Sequence, residues 1–194
     1  MKRIILIATV SSFLLACSSN DSTGNEGGQT NDSSQTTTVK KDTSKKSIPS
    51  ETKKWIGNTD IKINYHSPGV RGRTVWGGLV AYDAVWVTGA HKATSLEVGK
   101  DFKVGDKTIP AGKYAIFSIP GKKEWTVIIN KNWNQHLADD YSETDDVVRV
   151  KVEPQTTEEV VERLKYEIDQ RGERLADIII SWEKLRVSFP IEIR

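Results

Sequence analysis

Three side chains in the 194-residue sequence are imidazoles: His66, His91 and His136. Imidazole binds transition metals and exchanges protons near neutral pH, so these are the first places to look for chemistry. His66 closes an alternating run, His91 lies in a turn after a strand pattern, and His136 lies in a long polar loop. With Asp139 or Asp140 they supply the nitrogen and oxygen donors of a metal site. His91 and His136 carry the reading as a metal-binding protein or metal-dependent enzyme. No short ligand spacing joins them, so only the fold can bring them together. The simpler reading is three independent hydrogen-bonding histidines.

Other residue types offer binding rather than catalysis. Arg71 and Arg73 stand in a glycine-rich stretch, 69–78, where guanidinium donors can hold an anion. That stretch lacks the Lys-Ser/Thr ending of a phosphate loop and reads equally as a tight crossover between strands. Trp133 sits among Asn132, Asn134, Gln135 and His136, a flat apolar surface in a polar loop. Trp86, Trp125 and Trp182 fall inside strand patterns and are expected in the core. The acidic run 139–146 offers oxygen ligands but not the glycine-bearing calcium-loop pattern. Gly-x-Ser-x-Gly and His-Glu-x-x-His are both missing from the sequence. If the turn at 89–92 and the loop at 132–136 share one rim, His91, Trp133 and His136 line a pocket with Arg71 or Arg73 nearby. Such a pocket suits an anionic or metal-bound ligand, and the pattern calls for no dedicated cofactor.

The elements that must position these residues read as strands. Residues 61–66, 164–169 and 186–193 alternate apolar and polar, which buries one face and wets the other. Residues 114–119, 125–129 and 178–182 read as buried on both faces. Turn residues such as Pro110-Ala111-Gly112 and Pro120-Gly121 separate them. The expectation is an all-β domain over 51–194, a β-sandwich or barrel-like fold of about eight to ten mainly antiparallel strands. Pro190 marks an edge or a bulge. Thr156 to Glu159 resembles a capping box and predicts a helical turn giving way to strand near Arg163. Residues 131–142 are expected to form a long loop with one helical turn around Gln135 to Asp139.

The first 50 residues differ in kind. Lys2-Arg3, an apolar run from Ile4 to Leu15, and Ala16 before Cys17 read as a lipoprotein signal peptide over 1–16, with Cys17 the lipidated residue and sole cysteine. Residues 17–50 are poor in apolar side chains and read as a disordered tether. The expected attachment is therefore to a membrane through an N-terminal lipid. Ser18, not Asp, follows the cysteine, which by analogy with sorting rules suggests an outer-membrane lipoprotein facing the periplasm or the cell surface. The chain is formally +2. Residues 51–194 retain 22 of the 28 basic and 22 of the 26 acidic side chains. A neutral domain without a basic run gives no basis for a nucleic-acid partner; small-molecule, glycan and protein ligands remain. The leading reading is a non-catalytic ligand- or partner-binding envelope module, and a purely structural envelope component is the third alternative.

One longer pattern adds to this. Ser67-Pro68-Gly69-Val70-Arg71-Gly72-Arg73, Thr74-Val75-Trp76-Gly77-Gly78, Val85-Trp86, Thr88-Gly89-Ala90, Pro110-Ala111-Gly112-Lys113-Tyr114 and Glu124-Trp125-Thr126-Val127-Ile128 together resemble a bacterial domain of unknown function, number 2911, over about residues 55–194. The resemblance implies small secreted or lipid-anchored β proteins and no established activity. Where that family's pattern carries Asn-Glu before Ala-Thr, this chain has His91-Lys92, so the resemblance carries no catalytic carboxylate to this position.

Overall fold

The computed structural model describes residues 46–194; the expected signal peptide, Cys17 and nearly all of the expected tether lie outside the described residues. Ten strands follow one another: β1 Ile48–Ile56, β2 Thr59–Ser67, β3 Thr94–Val98, β4 Phe102–Val104, β5 Lys107–Ile109, β6 Gly112–Ile119, β7 Trp125–Asn130, β8 Asp146–Val152, β9 Gln155–Gln170 and β10 Leu175–Ile193. They form a six-stranded sheet, β1-β2-β3-β6-β7-β8, and a four-stranded sheet, β5-β4-β10-β9. Every pairing between neighbours is antiparallel. The all-β sandwich expected from the alternation is the fold.

The alternation explains the core. In β2, Ile61, Ile63 and Tyr65 point inward while Lys62 and Asn64 stay partly wet. They meet Leu164, Tyr166 and Ile168 of β9 and Ile178 and Ile180 of β10 in one apolar cluster. Burying such side chains removes apolar surface from water at roughly 25 cal/mol per Å². The sheets are laced together at one border by the chain that leaves β2. Leu164 donates its N–H to Pro68 O (3.0 Å), Val70 N–H to Glu162 O (2.8 Å), and Ser67 Oγ to Leu164 O (2.6 Å).

Three expectations need correction. The domain begins before residue 51, because Ile48, Pro49 and Ser50 already pair with Ser67, His66 and Tyr65. The Thr156–Glu159 segment is not a helical turn but the first part of β9. It is largely exposed, so its side chains carry no period-two signal. Strand β10 offers it backbone partners, Leu185 opposite Thr156 and Glu183 opposite Val161, and its β-branched residues fit a strand. The turn expected near Gln135–Asp139 exists only as isolated bonds, Asp139 N–H to His136 O and Tyr141 N–H to Ala138 O, both 3.2 Å. The one helical turn among the described residues is a 3-10 turn at Glu143–Asp145. Pro190 falls where β10 has left β9, after Arg186, and has not yet joined β4, at Glu192. A missing N–H costs no ladder bond there.

Candidate functional site

Between β2 and β3 the chain makes a long excursion without regular strands, returning through residues 85–93. Trp86 exchanges both backbone bonds with Ser118 of β6: Trp86 N–H to Ser118 O is 2.7 Å and Ser118 N–H to Trp86 O is 3.0 Å. Residues 85–87 thus extend the β3 position past the end of β3. Then the chain turns sharply at Thr88. This β-branched residue is wholly buried with φ +51°, a conformation its side chain disfavours. Hydrogen bonds hold it there. Its hydroxyl bonds Ser118 Oγ (2.9 Å) and donates to Trp86 O (3.1 Å). Its carbonyl accepts from Thr94 Oγ1 (3.1 Å) and from the Tyr166 hydroxyl (2.9 Å). Gly89 follows because a Cβ there would stand 2.8 Å from Thr94 Oγ1. The surrounding bonds over-determine the strained conformation and keep it in place.

The turn that begins at Thr88 lies directly against the 131–142 loop. Ala93 N–H donates to Gln135 O (3.0 Å), Leu137 N–H donates to His91 O, and Lys92 bridges to His136. The two loops do share a rim. They do not build the single expected pocket. His91 and His136 are both exposed on the rim but line neither of the two pockets that flank it. His136 Nδ1 turns to Asp139 Oδ2 at 3.0 Å, in water. His91 instead meets His66 edge-on, ring centroids 5.4 Å apart. Among the described residues no group of three or more His, Cys, Asp or Glu is arranged to hold a metal ion. The expected His91–His136 metal pair therefore has no third ligand there.

On one side of the turn is an open pocket of about 250 Å³, lined among others by His66, Lys92, Lys113, Trp133, Asn64 and Asn134. Lys113 Nζ lies 4.0 Å from the Trp133 ring centroid, a cation held over an aromatic face. Burial first, and then the positive charges of His91 and Lys92, press the His66 imidazole below its ordinary value of 6.5. Lys113 escapes pattern reading because 114–119 reads as buried on both faces; it sits one residue earlier, at the wet start of β6. Lys92 lies in the recognised turn, where the imidazole of its neighbour His91 is the more conspicuous group.

On the other side is a second pocket of about 260 Å³, lined by Arg71, Arg73, Leu79, Trp86, Leu137 and Trp182 with a few neighbours. The arginines thus belong here and not beside Trp133. Arg73 donates Nη2 to Gly69 O (2.6 Å) and Nε to Val70 O (3.2 Å), so it also fastens the crossover. Arg71 receives its position partly through its backbone N–H, which donates to Glu162 Oε1 (2.9 Å). Behind the pocket four tryptophans form one cluster. Trp76 meets Trp86, Trp125 and Trp182 at steep angles, with centroids 5.8, 4.9 and 5.7 Å away, while Trp86 and Trp182 lie nearly parallel, 19° apart at 5.9 Å. Trp125 and Trp182 are fully buried, as expected; Trp86 is only half-buried, because one side of it borders the pocket. The indole Nε1 of Trp86 donates to Gly89 O (3.1 Å). Those of Trp76, Trp125 and Trp182 are buried without a hydrogen-bond partner. Each such orphan costs about 1–3 kcal/mol.

Within the acidic run, Asp146 has a structural role. Asp146 accepts from Asn130 Nδ2 (2.7 Å), the Tyr141 hydroxyl (2.7 Å) and Arg149 Nε (2.7 Å), and Arg149 Nη2 donates to Tyr141 Oη (2.7 Å). Burial first and Asp146 second push the Tyr141 phenol up to about 12. This network pins the end of the 131–142 loop to β7 and β8.

The fold is a small antiparallel β-sandwich with two pockets flanking one loop rim. The chain belongs to the family described as "Protein of unknown function (DUF2911)", whose model matches residues 47–191. That match begins within one residue of β1 and ends inside β10. No curated protein and no solved structure matches the chain.

Proposed function

We propose that this protein is a non-catalytic ligand-binding module of the bacterial cell envelope, carried on a lipid at Cys17 and spaced from the membrane by residues 18–47. In a two-membrane cell its destination is the outer membrane. The ligand is a small organic anion of saccharide type, held in the pocket beside Trp133. The observation that carries this is the joining of the 88–93 turn to the 131–137 loop, which sets Lys92, Lys113 and His66 around one open cavity with an aromatic wall. Two ammonium groups recognise carboxylate, amide groups of Asn64 and Asn134 recognise hydroxyls, and the Trp133 face opposite Lys113 accepts the flat face of a sugar.

Calorimetry with a galacturonic acid trimer tests the site. The trimer binds the native protein, and the double variant Lys92→Ala/Lys113→Ala loses about tenfold or more in affinity, the effect of removing hydrogen bonds to charged groups. Unchanged affinity overturns the reading. The anchor is tested separately: Cys17→Ser releases the protein from the membrane fraction and removes the acyl mass, and membrane-bound protein with an unmodified Cys17 overturns it.

A further inference from the structure

We propose that the tryptophan-lined pocket on the other side of the 88–93 turn is a second binding site, for a small aromatic carboxylate. The reading goes beyond the saccharide site and does not depend on it. Two observations of different kinds converge. First, the walls are chemically matched to such a ligand. Trp86 and Trp182 give a flat aromatic floor, Leu79 and Leu137 form a lip that remains 47% and 39% exposed, and Arg71 and Arg73 stand at the lining. An aromatic ring against the floor removes this apolar surface from water, and the positive charge of the guanidinium groups favours a carboxylate.

Second, the backbone around the mouth is strained. Six non-glycine residues among the described ones have positive φ, and four of them, Arg71, Thr88, His91 and Leu137, line this pocket or flank its lining residues Gly89 and Ala90. A cavity of about 260 Å³ exceeds the roughly 150 Å³ that holds benzene, so a fused two-ring acid fits.

The probe is 2-naphthoate, titrated into the full-length protein in lipid nanodiscs and read by tryptophan emission, with 2-naphthylmethanol as the uncharged analogue. Naphthoate changes the emission saturably, and the alcohol binds about tenfold more weakly or worse, the discrimination expected from charged hydrogen bonds. Ala90→Phe fills the cavity, and Leu79→Asp sets a like charge on its exposed lip; each weakens naphthoate binding by about tenfold or more. If Ala90→Phe does not fold, Leu79→Asp decides, because its position is on the surface and an unchanged thermal midpoint verifies its fold. No saturable response, equal binding of acid and alcohol, or native affinity in Leu79→Asp overturns the proposal. Galacturonic acid trimer binding on the same samples reports the other pocket, so the two sites stand or fall separately.

Discussion

On one side of the 88–93 turn, Lys92, Lys113 and His66 stand around the half-exposed ring of Trp133, and most of the walls are side chains at least partly open to water, with Tyr65, Ala93 and Ser95 buried among them. On the other, two tryptophans from a cluster of four form the floor, and the cations are arginines tied into the crossover. The first pocket is mounted on the sandwich and the second is cut into it. Changes to the first should alter binding and spare the fold, whereas changes to the second should tax both, because its floor is also core. The turn at Thr88 belongs to both, since it continues a strand position on one side and closes against the 131–137 loop on the other.

The largest expected effect tests the claim that floor and core coincide. Trp182→Ala should cost about 3–5 kcal/mol, the range for emptying a buried aromatic site, read as a shift in the urea midpoint. Native-like stability would detach the floor from the core. Next comes Thr88→Val, which keeps the shape and removes the hydroxyl that pairs with Ser118 and Trp86. It leaves the buried Ser118 hydroxyl short of a partner and should cost about 1–3 kcal/mol. Because the turn is shared, ligand binding should weaken in both pockets; loss in only one would break the comparison. Lys113→Ala should be smaller still, because its contact with Trp133 is worth about 0.5–1 kcal/mol at a solvated site, while trimer binding falls.

The smallest effect is a slope with pH. The His66 imidazole titrates below 6.5 in the folded protein, so the folded state binds fewer protons than the unfolded chain. The stability contributed by neutral His66 is present above pH 6.5 and is lost as the pH falls through the depressed value. His66→Asn should flatten that slope in urea midpoints measured between about pH 7.5 and pH 5. Anion binding runs the other way: acidification protonates His66 and strengthens the hold on the trimer.

Strands with one wet face are legible in the amino-acid sequence itself. Ile61-Lys62-Ile63-Asn64-Tyr65 and Leu164-Lys165-Tyr166-Glu167-Ile168 alternate because burial differs between their faces. The segments that escape such reading are those where burial is weak on both faces, Ile48–Ser50 and Gln155–Glu162, whose strand character comes from a neighbour's backbone and not from their own side chains. The site divides in the same way. That the 89–92 and 132–136 loops could meet follows from the clustering of loops at sandwich ends, and the Lys92–His136 bridge realises it. That Arg71 and Arg73 go to the opposite pocket, and that Trp76 joins three strand tryptophans, depends on the path of the crossover, which no local spacing encodes.

The irregular pairing along β9 has a further consequence, for self-association. A strand at a sheet border offers unpaired N–H and C=O groups to any passing chain, and regular, uncharged borders invite fibre-like stacking. Here the register with β10 slips twice, between Ser181 and Glu183 and between Glu183 and Leu185, where Glu183 has φ +54°. The exposed stretch opposite carries Glu158 and Glu159. An incoming strand would have to follow a bent, twisted ladder and set its own residues against paired carboxylates. The slipped register and the two carboxylates thus weigh against edge-to-edge pairing with a neighbouring copy.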